Sequence, residues 1–116
     1  VHGIMEAALR IGKKYLDPKV YDELRSTRYR AILRKLGEPP SRNFRKKDVE
    51  ERLNEEEKKV FHNFLRKMEN LQVIEPDIEG GTGAYRFVNE LYPLYIRIES
   101  ERFKQFKHKT TQKKLS

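Results

Sequence analysis

The sequence predicts a mainly α-helical domain with one small β-hairpin in its C-terminal half. Three observations carry that class. Apolar residues recur at helical spacing through most of the chain. Start and stop signals punctuate them: Asp17-Pro18, Gly37 with Pro39-Pro40, and Asn54-x-x-Glu57. Two extended segments then flank Gly80-Gly81-Thr82-Gly83, a tight-turn composition. A length of 116 residues fits one domain with a modest core.

Ile4 to Leu16 reads as an amphipathic helix, with Ile4, Met5, Ala8, Leu9, Gly12, Tyr15 and Leu16 on one inward face. Asp17 suits an N-cap and Pro18 a first helical turn, so a break is expected there and a second helix from Pro18 to Arg25. Thr27 to Leu36 forms the next helix, facing inward with Tyr29, Ile32, Leu33 and Leu36, and Gly37 with the two prolines ends it. Ser41 to Arg45 reads as a basic loop, and Lys46 to Leu53 as a short helix. Asn54 and Glu57 make a capping box, with Asn in place of the usual Ser/Thr, for a longer helix to about Asn70. Its stripe is Val60, Phe61, Phe64, Leu65, Met68 and Leu71. Val73-Ile74 begins one strand, and Tyr85 to Val88 alternates as the second. From Leu91 the pattern fits either strand or helix; Pro93 in a first turn favours a helix from about Glu90 to Phe106, with Thr110 to Ser116 as a frayed tail. The chain thus divides into an N-terminal helical extension (1–26), a central unit (27–89) and a C-terminal helix with a basic tail (90–116).

Charge is unevenly placed on a chain of net +8. Arg25 to Lys47 holds nine Lys/Arg against one acid, Glu38, and Glu101 to Ser116 holds six against one. Glu51 to Ser100 has seven bases and ten acids. A polyanion would meet the two basic blocks first. The same density also fits a solvated, ion-rich surface of the kind common in proteins from hot environments.

Several classes fall away. With no cysteine, disulfides and thiolate metal sites are excluded. No apolar run approaches the ~18 residues of a membrane span, and no signal peptide is visible, so an intracellular place is expected, cytoplasmic or nucleoid-associated. Beginning at Val1, the chain reads as an excised or processed piece of something longer. His2, His62 and His108 are far apart, without second ligands at metal spacing. No nucleophile elbow occurs. The carboxylates Glu55, Glu56, Glu57 and Glu75, Asp77, Glu79 are better explained by capping and a solvated strand end. Neither catalysis, nor a cofactor, nor a small-molecule substrate is expected.

The order from Thr27 onward is helix, loop, short helix, tight turn, longer helix and hairpin. It resembles a winged helix-turn-helix over about Thr27 to Val88. Three stretches narrow the resemblance: Tyr29 to Leu36, Phe64 to Ile74, and Gly83 to Asn89 with Leu94-Tyr95-Ile96 behind. Together they are similar to the C-terminal winged-helix region of archaeal ATPases of the AAA-like and STAND-like kind. There a helix ending in a Leu…Ile pattern leads into a hairpin ending Tyr-x-Phe-x-Asn, with a helix packed behind. The ATPase core is absent, because Gly80 to Ala84 lacks the Gly-Lys-Ser/Thr end of a phosphate-binding loop. The resemblance implies a DNA-binding module in which the third helix is the recognition helix and the hairpin is the wing.

On that helix the outward stripe carries Lys59, His62, Asn63, Arg66 and Asn70, at spacings of three and four. Arg and Asn can read guanine and adenine edges. The helix also opens with three carboxylates where a groove-inserted end would meet phosphates, so a base-reading and a non-reading helix both stay open. Arg42, Arg45, Lys46 and Lys47 surround the short helix's start and are the expected phosphate contacts, which Arg28, Arg30, Arg34 and Lys35 could extend. Arg86 could reach a minor groove or a phosphate. Arg102, Lys104, Lys107, Lys109, Lys113 and Lys114 make a basic arm, with Phe103 and Phe106 expected to pack rather than stack on bases. The expected function is sequence-tolerant binding of double-stranded DNA in transcription, replication or mobile-element control, with DNA against RNA left open. The alternative is a protein-interaction or dimerisation module of a larger ATPase or regulatory complex, the flanking helices supplying a homodimer seam.

Overall fold

The computed structural model describes residues 2–22 and 24–115, with side chains described for 3–22 and 24–106. The helices are α1 (His2–Ile11), a π-helix (Gly12–Tyr21), α2 (Thr27–Leu36), α3 (Lys46–Glu50), α4 (Glu55–Asn70) and α5 (Tyr92–Leu115). The strands are β1 (Asn43–Arg45), β2 (Ile74–Pro76) and β3 (Ala84–Phe87), with a 3₁₀ turn (Ile78–Gly80) between the last two. They form one antiparallel sheet in the order β1-β3-β2. The class is therefore mainly α with a small β element, as the sequence predicts.

Local signals explain the central unit. Ser26 caps α2 by accepting from the Tyr29 amide at 3.2 Å. Asn54 accepts from the Glu57 amide at 2.8 Å, and the Glu57 carboxylate accepts from the Asn54 amide at 3.0 Å, so both halves of the capping box are closed. The core forms where Ile32, Leu33 and Leu36 of α2 meet Phe61, Phe64, Leu65 and Met68 of α4, closed by Ile74, Phe87 and Tyr95. Tyr29 meets Phe64 edge-on, with ring centroids 5.5 Å apart.

Four expectations need correction. The chain does not break at Asp17-Pro18; a π-helix runs through both residues, the Asp22 amide donating to the Asp17 carbonyl at 2.8 Å. The Asp17 carboxylate, read as an N-cap, instead accepts the Tyr95 hydroxyl at 2.6 Å. The inward face of the N-terminal helix is narrower than predicted. Ala8, Gly12, Leu16 and Val20, four apart, are buried, whereas Ile4, Met5 and Tyr15 stand 58%, 43% and 40% exposed. The basic loop contains a strand: Phe44 stacks on Tyr85 at 5.7 Å while Asn43 and Arg45 face outward. Finally, α5 runs on to Leu115 rather than fraying from Thr110; Ser116 lies outside the described residues. Among the described residues, no helix is long and apolar enough to cross a membrane.

Candidate nucleic-acid interface

The amphipathic division of α4 sets the site. Phe61, Phe64, Leu65 and Met68 are drawn into the core, which leaves Lys59, His62, Asn63, Arg66 and Asn70 exposed on the outer side. Among the described residues, the side chains of His62, Asn63 and Arg66 make no hydrogen bond or ion pair. They are available to an external partner.

The acidic first turn of α4 is answered internally. Glu55 pairs with Lys58 at 3.5 Å, and Glu56 pairs with Arg28 at 3.4 Å and Lys59 at 3.2 Å. Glu57, buried, meets Lys35 of α2 at 2.5 Å. Burial pushes the Glu57 carboxyl up, but the hydrogen bonds from Lys35 and the Asn54 amide outweigh it and hold the group below the ordinary range. Each carboxylate of that turn therefore has a cation beside it. Lys59 is correspondingly less free than Arg66.

The four basic residues around α3 divide into two pairs. Arg42 and Arg45 are turned onto the hairpin. Arg42 donates from Nε to the Phe87 carbonyl at 3.1 Å and from Nη2 to the Val88 carbonyl at 3.3 Å. Arg45 donates from Nη2 to the Gly80 carbonyl at 2.9 Å. These two arginines grip opposite ends of β3 and its turn. Lys46 and Lys47 begin α3, and their side chains bond to no described residue; the Lys46 backbone amide donates to the Gly83 carbonyl at 2.8 Å. Amides at a helix start attract anions, and the two ammonium groups add to that field.

The hairpin's outward face is held by polar pairs. Arg86 lies opposite both Asn43 and Glu75 in the ladder, and its Nε meets Glu75 at 2.6 Å. That bond raises the Arg86 pKa above its usual value. Asn43 donates to the Asp77 carboxylate at 2.9 Å. Arg86 is exposed, but its charge is already countered within the hairpin.

Of the proposed extension, Arg28 and Lys35 serve α4. Arg30 donates to the Leu24 and Tyr21 carbonyls, each at 2.7 Å, and Arg34 lies over the Phe103 ring. In the arm, Arg102 pairs with Glu99 and Lys104 with Glu38, while the side chains of Lys107, Lys109, Lys113 and Lys114 lie outside the described residues. Phe103 and Phe106 are exposed, and Phe103 carries the Arg34 guanidinium. Sequence reasoning missed Arg52, in the turn after α3, whose guanidinium closes the end of α2 by donating to the Lys35 and Glu38 carbonyls. Arg52 lies well beyond the Gly37 to Pro40 stop in sequence, so spacing gave no signal for that role. Among the described residues, no group of three or more His/Cys/Asp/Glu side chains could hold a metal ion.

Compared with known proteins, the chain matches no family model, no curated protein and no solved structure.

Proposed function

We propose that the chain is a winged-helix domain that binds double-stranded DNA in a sequence-tolerant way, with α4 presented to the duplex and Lys46 and Lys47 on the phosphates. One observation carries the reading. The outer stripe of α4 offers His62, Asn63 and Arg66 without partners among the described residues, and the neighbouring acids are matched by Lys58, Lys59, Arg28 and Lys35. The order helix, strand, helix, helix, hairpin supports the same reading, as does the net charge of +8. Phosphate contacts release counterions, so affinity for random duplex falls linearly on a log–log plot against salt, with a slope of about −0.9 per contact. A flat salt response, or equal affinity for a neutral polymer, rejects it.

Self-association is the second reading, and it has its own observation. Ile4, Met5 and Tyr15 are large apolar side chains left exposed on the N-terminal helix and the π-helix. Light scattering coupled to size exclusion tests it: replacing Ile4 and Met5 together with Glu converts a dimer to a monomer, and a parent chain that is already monomeric removes this reading.

A further inference from the structure

Away from the α4 stripe, a cavity of about 300 Å³ lies between α2, α5 and the end of the π-helix. Its volume is at the lower end of the ~300–1,000 Å³ that ligand sites occupy. Leu33, Phe103 and Phe106 supply apolar wall, and Tyr21, Arg34 and Ser100 bring polar groups to it.

The arginines around it differ in one respect. Arg30 is committed to the Leu24 and Tyr21 carbonyls, and Arg102 to Glu99. Arg34 lies over Phe103, its Cζ 4.0 Å from the ring centroid, and donates to no acceptor among the described residues. It is a partly buried guanidinium set over a ring face, with Glu57 and Glu38 favouring its charge only through space. Burial holds its pKa below the usual value, which reports the lost hydration. Three arginines against Glu99 leave the cavity positive. A guanidinium offers a fork of donors whose spacing matches a carboxylate, and that pairing strengthens where water is scarce. The apolar wall asks for a hydrocarbon body on the same ligand.

We propose that this cavity binds a small aromatic carboxylate, its carboxylate on the free edge of Arg34 and its ring against Leu33 and the two phenylalanines. The assignment is independent of the DNA reading, because it uses α2 and α5 and none of the exposed α4 side chains.

Titration of the full chain with benzoate, benzyl alcohol and acetate, followed in ¹⁵N-resolved NMR spectra, tests it. Benzoate is expected to saturate with a roughly millimolar Kd, as suits so small a ligand, and to shift amides at Leu33, Arg34, Ser100 and Phe103. Benzyl alcohol lacks the charge and acetate lacks the ring, so each binds roughly tenfold more weakly. Arg34→Gln lowers benzoate affinity by a similar factor and leaves benzyl alcohol unchanged. The comparison of three ligands on the parent chain decides the matter even where that variant does not fold. Benzyl alcohol binding as well as benzoate, acetate matching both, shifts confined to α3 and α4, or no saturable shift would each overturn the proposal.

Discussion

The ring of Tyr95 occupies the space a side chain at Gly12 would need: a Cβ there would stand 2.0 Å from the Tyr95 Cγ. The same tyrosine donates its hydroxyl to Asp17 at 2.6 Å, and burial, reinforced by that bond, raises its pKa so that it stays a donor. One residue of α5 thus fixes two points of the N-terminal segment. Gly12→Ala forces the ring or the helix to move and lowers stability by about 3 kcal/mol, the upper part of the range for overpacking. Tyr95→Phe keeps the packing and loses only the bond, for about 1–3 kcal/mol. Urea unfolding followed by circular dichroism ranks the two; a neutral Gly12→Ala would show that the helices do not pack this closely.

That contact also explains where the sequence misleads. The four-residue spacing of Ala8, Gly12, Leu16 and Val20 is visible in the chain, but Tyr95, far along the sequence, selects this narrow line over a broader stripe with Ile4 and Met5. Local propensity likewise reads Asp17-Pro18 as a helix start, since the tyrosine that takes the carboxylate is not local. The helices α2 and α4 were legible because their own caps and stripes define them, as at Ser26, Asn54 and Glu57. Strand β1 is three residues long, too short for a period to emerge from Asn43-Phe44-Arg45. At the site, exposure of Lys59, His62, Asn63 and Arg66 follows from helical geometry and was readable. The turning of Arg42 and Arg45 onto the hairpin depends on a sheet partner that spacing does not reveal.

The Lys35–Glu57 pair predicts an acid sensitivity. Glu57 has its pKa held below the usual 4.5. Glu38 is also lowered, chiefly by its hydrogen bond from Lys104. A carboxyl whose folded-state value is depressed stabilises the fold fully above its unfolded value, and that contribution fades as pH falls through the lower folded value. The urea midpoint therefore declines below about pH 4.5. Glu57→Gln flattens the decline and costs about 1–2 kcal/mol at pH 7, discounted because the Lys35 side chain is one-third exposed. A variant with the parent's full acid sensitivity would remove Glu57 from this role.

The two pairs around α3 make separable predictions. Lys46→Gln with Lys47→Gln leaves stability within about 0.5 kcal/mol, as for ordinary surface changes, and on the proposed DNA reading lowers the magnitude of the salt slope for duplex binding by about two. Arg42→Gln with Arg45→Gln removes the grip on Phe87, Val88 and Gly80, so amide exchange quickens across β3 and its turn. Equal effects of both double variants on exchange would show that the pairs do not divide as their bonds indicate.

Within α4, the ion pairs order the effects expected under the proposed DNA binding. Arg66 has no partner among the described residues, so on the proposed DNA reading Arg66→Ala loses a full phosphate contact and weakens every duplex alike, with a salt slope smaller by about one. Lys59 is already countered by Glu56 at 3.2 Å, so Lys59→Ala loses less. Glu56→Gln acts in the other direction: it frees Lys59 and Arg28 and removes a negative charge from the helix start, so binding tightens. Mobility-shift titrations on several unrelated duplexes measure all three. A loss at Arg66 confined to one sequence would instead mark a base contact, since guanine recognition by arginine distinguishes sites by about 1–3 kcal/mol. No change from Glu56→Gln would place the start of α4 away from the phosphates.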